Sequence, residues 1–164
     1  MIIVGIDPGM SGGVCYLVRN HGVFFPIIEK MPEDDVAIMS LLETFMSAKA
    51  PFFIEKIPHF IPGKNIMGSQ MSKLTGNQRF IYGFLRGRMQ CDVVQVTPQE
   101  WQKAIKTKWD LPKRASLTTS QWKNALRDVA CNELSLSQKQ LPLWAADAAL
   151  IALHGMRSHF GSGV

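Results

Sequence analysis

The chain has 164 residues, the size of one compact unit at about 100–200 residues per domain. Hydrophobic residues make up 46% and charged ones 19%, which excludes a disordered chain, and the absence of any run of about 18 apolar residues excludes a membrane-spanning helix. Eighteen Lys+Arg against 13 Asp+Glu leave a net charge of +5, a surplus that admits an anionic partner without demanding one.

Cys15, Cys91 and Cys131 are odd in number and far apart, with no Cys-x-x-Cys pair, so a reduced intracellular setting is expected. The opening MIIVGID lacks the basic and long apolar regions of a signal peptide, and export is not expected.

Ile2 to Ile6 is a β-branched apolar run ending in the turn-rich Asp7-Pro8-Gly9-Met10-Ser11-Gly12-Gly13, the pattern of a buried strand that stops in a tight loop. Val14–Val18 and Val23–Ile28 are two more strand-like segments, and Arg19-Asn20-His21-Gly22 between them suits a hairpin. Pro32 with Glu33, Asp34 and Asp35 marks a helix start, because acids in the first turn complement the helix dipole. Val36, Met39, Leu42, Phe45 and Met46 then form one apolar face until Pro51. Phe52 to Glu55 is a fourth strand, followed by a loop with Pro58, Pro62 and Gly63.

From about Gln70 to Gln90 the pattern is helical and apolar on more than one face, which asks for cover on two sides: the sheet, and a partner subunit. Val93–Val96 is a fifth strand, and Thr97-Pro98-Gln99-Glu100 is a capping box that starts a short helix. Residues 106–114, KTKWDLPKR, are interrupted by Pro112 and read as a loop. Trp122, Leu126, Val129 and Glu133 place an amphipathic helix between about Ser116 and Leu134, and the last helix spans about Pro142 to Met156. A single domain over residues 1–157 with a flexible tail over 158–164 is expected.

Three carboxylates stand out. Asp7 ends the first strand, Glu55 ends the fourth, and Asp147 lies in a last helix otherwise made of Leu, Trp, Ala and Ile. Any one of them has an ordinary reading as a turn former, a strand end or a solvated helix position. Together, and without a His or Cys cluster, they are hard oxygen donors that suit Mg²⁺ or Mn²⁺, and adjacent first and fourth strands would bring Asp7 and Glu55 to one end of the sheet.

GIDPGMSGG, FIEK and AADAALIALHG, in this order and at these distances, resemble the RuvC family of Holliday-junction resolvases, and VTPQEWQKAI has a counterpart in the short forms carried by bacteriophages. The resemblance runs from residue 2 to about 155. It implies an α/β, RNase H-like fold: a five-stranded mixed sheet, its first three strands antiparallel, flanked by helices. It further implies a crossover-junction endodeoxyribonuclease active as a homodimer on a four-way DNA junction. Two Mg²⁺ or Mn²⁺ ions would be held by Asp7, Glu55 and Asp147, in the cytoplasm of a bacterial or phage-infected cell. The family's usual fourth ligand, one turn before the last Asp, is replaced here by Trp144, which cannot bind Mg²⁺ and is expected on the same helical face as Asp147. That replacement keeps open a junction-binding protein that cuts poorly or not at all. His154 is two turns beyond Asp147, about 10 Å along the axis, too far to substitute.

Candidate DNA contacts are Lys56 and Lys64 around the loop after Glu55, with Phe60 and His59 as the nearest counterparts of an aromatic that enters the junction in RuvC-like proteins. Arg79 and Arg86 on the second long helix are further candidates. Lys103, Lys106, Lys108, Lys113 and Arg114 put five basic residues into twelve around Trp109, as phosphate contacts beside a stacking surface require.

Overall fold

The computed structural model describes residues 1–45, 50–57, 68–109 and 111–161. Its centre is a five-stranded sheet in the order β3-β2-β1-β4-β5, formed by β1 (Ile2–Asp7), β2 (Gly13–Asn20), β3 (Val23–Lys30), β4 (Phe52–Glu55) and β5 (Val93–Val96). The first three strands are antiparallel, whereas β1, β4 and β5 run parallel. Both β4 and β5 occupy the spans expected from sequence. Asn20 pairs with Val23, leaving His21 and Gly22 as a two-residue turn with φ of 47° and 82°, the geometry that matches the twist of a hairpin. Pro26 is tolerated within β3 because that strand lies at the sheet edge.

Helices cover both faces. On one side lie α1 (Asp35–Thr44) and α2 (Gly68–Gly83), whose Ile38, Leu42 and Ile81 pack against Val4, Ile6 and Ile54. Asp34 caps α1, its side chain accepting from the Ala37 N–H at 2.8 Å, so the helix starts later than Pro32 suggests. The axis of α2 continues as a π-helical turn, Phe84–Arg88. On the other side lie α3 (Pro98–Lys108), α4 (Thr119–Leu134) and α5 (Ala146–Phe160), with Ile3, Leu17 and Phe53 beneath them. No helix among the described residues is long and apolar enough to cross a membrane.

The expected capping box is present: Thr97 Oγ1 accepts from the Glu100 N–H, and Glu100 Oε2 accepts from the Thr97 N–H at 2.6 Å. Two expectations need correction. Residues 106–108 are the last turn of α3 rather than loop, since Ile105 is buried and Lys106 and Lys108 suit the negative end of the helix. The last helix also runs past Met156 to Phe160, taking in Ser158, whose hydroxyl donates to the His154 carbonyl at 2.9 Å.

Helix α5 approaches the sheet more closely than ordinary side chains allow. A Cβ on Gly5 of β1 would collide with the Ala148 carbonyl and the backbone of Ala152, and one on Gly155 would meet the Phe53 ring at 2.6 Å. The cost of an internal glycine, about 0.5–1 kcal/mol, is small beside the roughly 1.5–3 kcal/mol contributed by each fully buried Leu or Ile that the close contact permits.

At the far end of this layer Glu133 of α4, its side chain 6% exposed, accepts from Trp109 Nε1 at 2.6 Å, Arg157 Nη2 at 2.7 Å and Lys108 Nζ at 3.0 Å, tying α3 and α5 to α4. Glu133→Ala leaves a half-buried guanidinium and indole without their acceptor and is expected to cost about 2–3 kcal/mol. Lys108→Ala removes a partner that is 56% exposed and is expected to cost under about 0.5 kcal/mol. Equal midpoint shifts for the two variants in urea unfolding would refute this division of labour.

Candidate functional site

The parallel pairing of β1 with β4 matches Ile6 to Ile54, so Asp7 and Glu55 are the next residues on adjacent strands and leave the sheet at the same end. Both share a face with Gly5 and Phe53, the face on which α5 lies. Asp147 stands in the first turn of α5, and the close approach at Gly5 brings that turn over the strand ends. The three expected carboxylates therefore gather where an open α/β sheet carries its ligands, beyond the C-terminal ends of parallel strands.

All three are partly buried. Burial pushes Glu55 up to about 8, with the Asp7 and Asp147 charges adding to the shift. Burial followed by the Asp7 charge pushes Asp147 up to about 6, and burial likewise raises Asp7 above the ordinary carboxylate range. One oxygen of each sheet carboxylate is already anchored. Asp7 Oδ1 accepts from the Gly9 N–H at 3.0 Å, and Glu55 Oε1 accepts from Trp101 Nε1 at 3.2 Å. In these rotamers no three His, Cys, Asp or Glu side chains among the described residues stand close enough to hold one metal ion together. The donor chemistry nevertheless fits a divalent cation: hard oxygens crowd one another, and each is raised by burial.

Sequence reasoning missed two residues here. Lys123, exposed on α4, is the cation whose charge lowers the pKa of Asp7, Glu55 and Asp147 alike. Its position on the polar face of an amphipathic helix gave no signal, because only the docking of α4 makes it a neighbour of the acids. Trp101, a residue type that usually packs in a core, gave no sign in sequence of its bond to Glu55.

Trp144 is not on the α5 face expected. It lies in a 3₁₀ turn, Leu143–Ala145, and its indole packs over Gly13, where a Cβ would stand 2.7 Å from Cζ3. Gly13 is the register partner of Asp7, so the indole walls the site from the β2 side.

A cleft of about 330 Å³ opens on the acids, lined by Asp7, Gly9, Glu55, Ile57, Leu74, Pro98 and Gln99. Through Gly9 and Leu74 it adjoins a second hollow of about 470 Å³ lined by Met10, Ser11 and Lys73.

Of the expected DNA contacts, Lys56 is exposed directly after Glu55, and Arg79, Arg86, Lys103 and Lys113 are exposed at the surface. Phe60, Lys64 and His59 lie outside the described residues. Lys106, Lys108 and Arg114 of the 103–114 cluster are engaged within the chain. Lys106 Nζ stands 5.2 Å from the Trp122 ring centroid and Arg114 5.9 Å from it, while Lys108 binds Glu133. Trp109 spends its N–H on Glu133 and packs against the core, the packing role more usual for such a tryptophan, and it is not a free stacking surface.

Sheet order, flanking helices and the acidic end of the sheet define an α/β protein of RNase H-like architecture. Within that class its fold is the one found in RuvC. The chain matches a Thermus thermophilus RuvC structure at TM-score 0.62 and 15% identity, covering 98% of this chain and 96% of that one. It matches T. thermophilus RuvC in complex with a Holliday junction substrate at 0.60 and 16%, covering 99% and 98%. The yeast mitochondrial Holliday junction resolvase matches at 0.60 and 12%, covering 98% and 83%. No protein-family model and no curated protein matches the chain in sequence.

The raised carboxylates dictate a pH dependence. Glu55 and Asp147 titrate at ordinary values of 4.5 and 3.8 when unfolded and at about 8 and about 6 when folded, so between these limits the folded state binds more protons. The stability of the metal-free protein is therefore expected to fall as pH rises from about 4 through about 8, the two carboxylates outweighing the single His154, which burial lowers and which acts in the opposite sense. Glu55→Gln is expected to stabilise the metal-free chain at pH 8 by on the order of 2 kcal/mol and to flatten the profile, and Lys123→Met to steepen it. Urea unfolding in a chelator between pH 4 and 9 tests this, and a stability that rises with pH would refute it.

Proposed function

We propose that the protein is a divalent-metal-dependent endonuclease that resolves four-way or other branched DNA junctions by paired nicks. The observation that carries this reading is the gathering of Asp7, Glu55 and Asp147 at one sheet end, in a fold shared with RuvC. Asp7, Glu55 and Asp147 would hold Mg²⁺ or Mn²⁺, in two ions by family resemblance, and the metal would supply activation of water and stabilisation of the leaving 3′ oxygen. The protein's own residues then have separable tasks. The Gly9 N–H fixes Asp7, Lys123 offsets part of the negative charge, and the hollow beside Lys73, adjoining the acidic cleft, offers a path for a DNA strand. Lys56, beside Glu55, is placed to meet phosphate.

Paired nicks need two sites, and a homodimer through α2 would supply them. Gly76 and Gly83 sit on one stripe of that helix with Phe80 between them, and a Cβ on either glycine meets nothing within 4 Å. Internal glycines with open space have no use in this chain's own packing and suit the approach of a second helix.

A second reading, a junction-binding protein that does not cut, draws on Trp144, which in sequence takes the position of a ligand in the resembled family and in the fold packs over Gly13. One set of reactions separates the two. A synthetic four-way junction with Mg²⁺ or Mn²⁺ is expected to give paired nicks at least about 10³-fold faster than Asp7→Asn, with junction binding retained in the variant. Salt-sensitive binding without nicks in either metal, together with cleavage restored by Trp144→Asp, would establish the second reading. Sedimentation of the wild type and of Gly83→Glu addresses the dimer: a wild-type monomer at micromolar concentration would end that part of the proposal.

A further inference from the structure

Trp101 is among the most deeply buried large side chains, 1% exposed. A buried indole needs an acceptor for its N–H, and a backbone carbonyl is the usual inexpensive solution. Here Nε1 donates instead to Glu55 Oε1, at 3.2 Å.

The local sequence holds the indole still. β5 ends at Val96 beside Glu55 of β4, the Thr97 box starts α3 at once, and Trp101 falls one turn into the helix with its own N–H on the Thr97 carbonyl at 3.3 Å. Its ring is part of the core between the sheet and α5, together with Phe53, two residues before Glu55 on the same strand. The indole therefore cannot follow a swing of Glu55, and the carboxylate is held to the indole. Glu55 Oε2 has no hydrogen bond among the described residues, and Glu55 lines the cleft together with Asp7. Asp7 repeats the pattern, with Oδ1 anchored by Gly9.

From this geometry we infer that Trp101 is a positioning residue, a rigid indole N–H that holds one oxygen of Glu55 and so presents the other to a divalent cation at Asp7. The inference rests on the metal-dependent reading of the site. It also explains why an indole rather than another large apolar group stands at this position, since packing alone does not call for an N–H. Outer partners that orient a metal-binding carboxylate affect metal affinity or activity by about 10- to 100-fold.

Trp101→Phe keeps a ring in the core and removes the donor. Calorimetric titration of the DNA-free protein with Mg²⁺ is expected to give affinity about 10- to 100-fold weaker in the variant, and the kinetic loss to fall on kcat and on the half-saturating Mg²⁺ concentration more than on KM for the junction. The wild type offers a second readout that does not depend on the variant folding. The ¹⁵N–¹H indole resonance of Trp101 must shift on Mg²⁺ addition with the calorimetric half-saturation, and must not do so in Glu55→Gln. Unchanged Mg²⁺ affinity in folded Trp101→Phe, or a wild-type indole resonance that stays put while Mg²⁺ binds, overturns the positioning role and leaves the nuclease reading intact. A wild-type protein that neither binds Mg²⁺ nor cuts junctions in Mg²⁺ or Mn²⁺ overturns both.

Discussion

The contact on which the rest of the structure depends is the approach of α5 to β1 at Gly5, where no side chain separates the helix backbone from the strand. Ala148, Ala152 and Gly155 recur at spacings of four and three on the helix, so its sheet-facing stripe is as small as the strand position it meets. This contact makes the hydrophobic layer under α5 continuous, with Leu150, Ile151 and Met156 buried around the stripe. The same contact delivers Asp147, one residue before Ala148, over the ends of β1 and β4. Packing and chemistry are thus set by one steric fact, and a bulkier residue at Gly5 would displace both.

The acids gathered in this way oppose folding. Three carboxylates with raised proton affinities are a destabilising feature in a fold otherwise well matched to its sequence, and the structure supplies only partial offsets. Asp147 lies in the first turn of α5, where the helix dipole favours a negative charge. Lys123 contributes one cation, and Gly9 and Trp101 contribute one hydrogen bond each. A protein selected for stability alone would replace such a group with apolar residues, so its retention is an argument for chemistry at this end of the sheet.

Much of this was legible in the sequence. Asp7, Glu55 and Asp147 could be picked out because each ends or interrupts an apolar segment, and β4, β5 and the Thr97 box fell where periodicity and capping chemistry put them. What escaped was whatever depends on contacts between distant segments. Lys123 looks like any solvent-facing lysine until α4 docks. Trp144 was assigned to a helical face by counting turns, but the α-helix begins only at Ala146 and the preceding 3₁₀ turn sends the indole toward Gly13. Residues 106–108 read as loop because basic residues and a nearby proline outweighed the single buried Ile105 in the local pattern.

The same limit applies to the reading of charge. Density along the chain pointed to residues 103–114, yet Lys106 and Arg114 are placed over Trp122, and Lys108 is bound to Glu133, so much of that cluster serves the packing of α3 on α4. The cations with a direct relation to the acidic cleft are dispersed in sequence: Lys56 follows Glu55, Lys73 lines the adjoining hollow, and Lys123 acts on all three carboxylates. These three stand on different segments, the residue after β4, α2 and α4, so an anionic strand in the cleft would meet them from different directions. A phosphate backbone held from several sides is fixed in orientation as well as attracted, which a single basic stretch on one helix end cannot achieve. The net charge of +5 therefore matters less by its size than by the folding that brings a few of its lysines to the rim of a negative site.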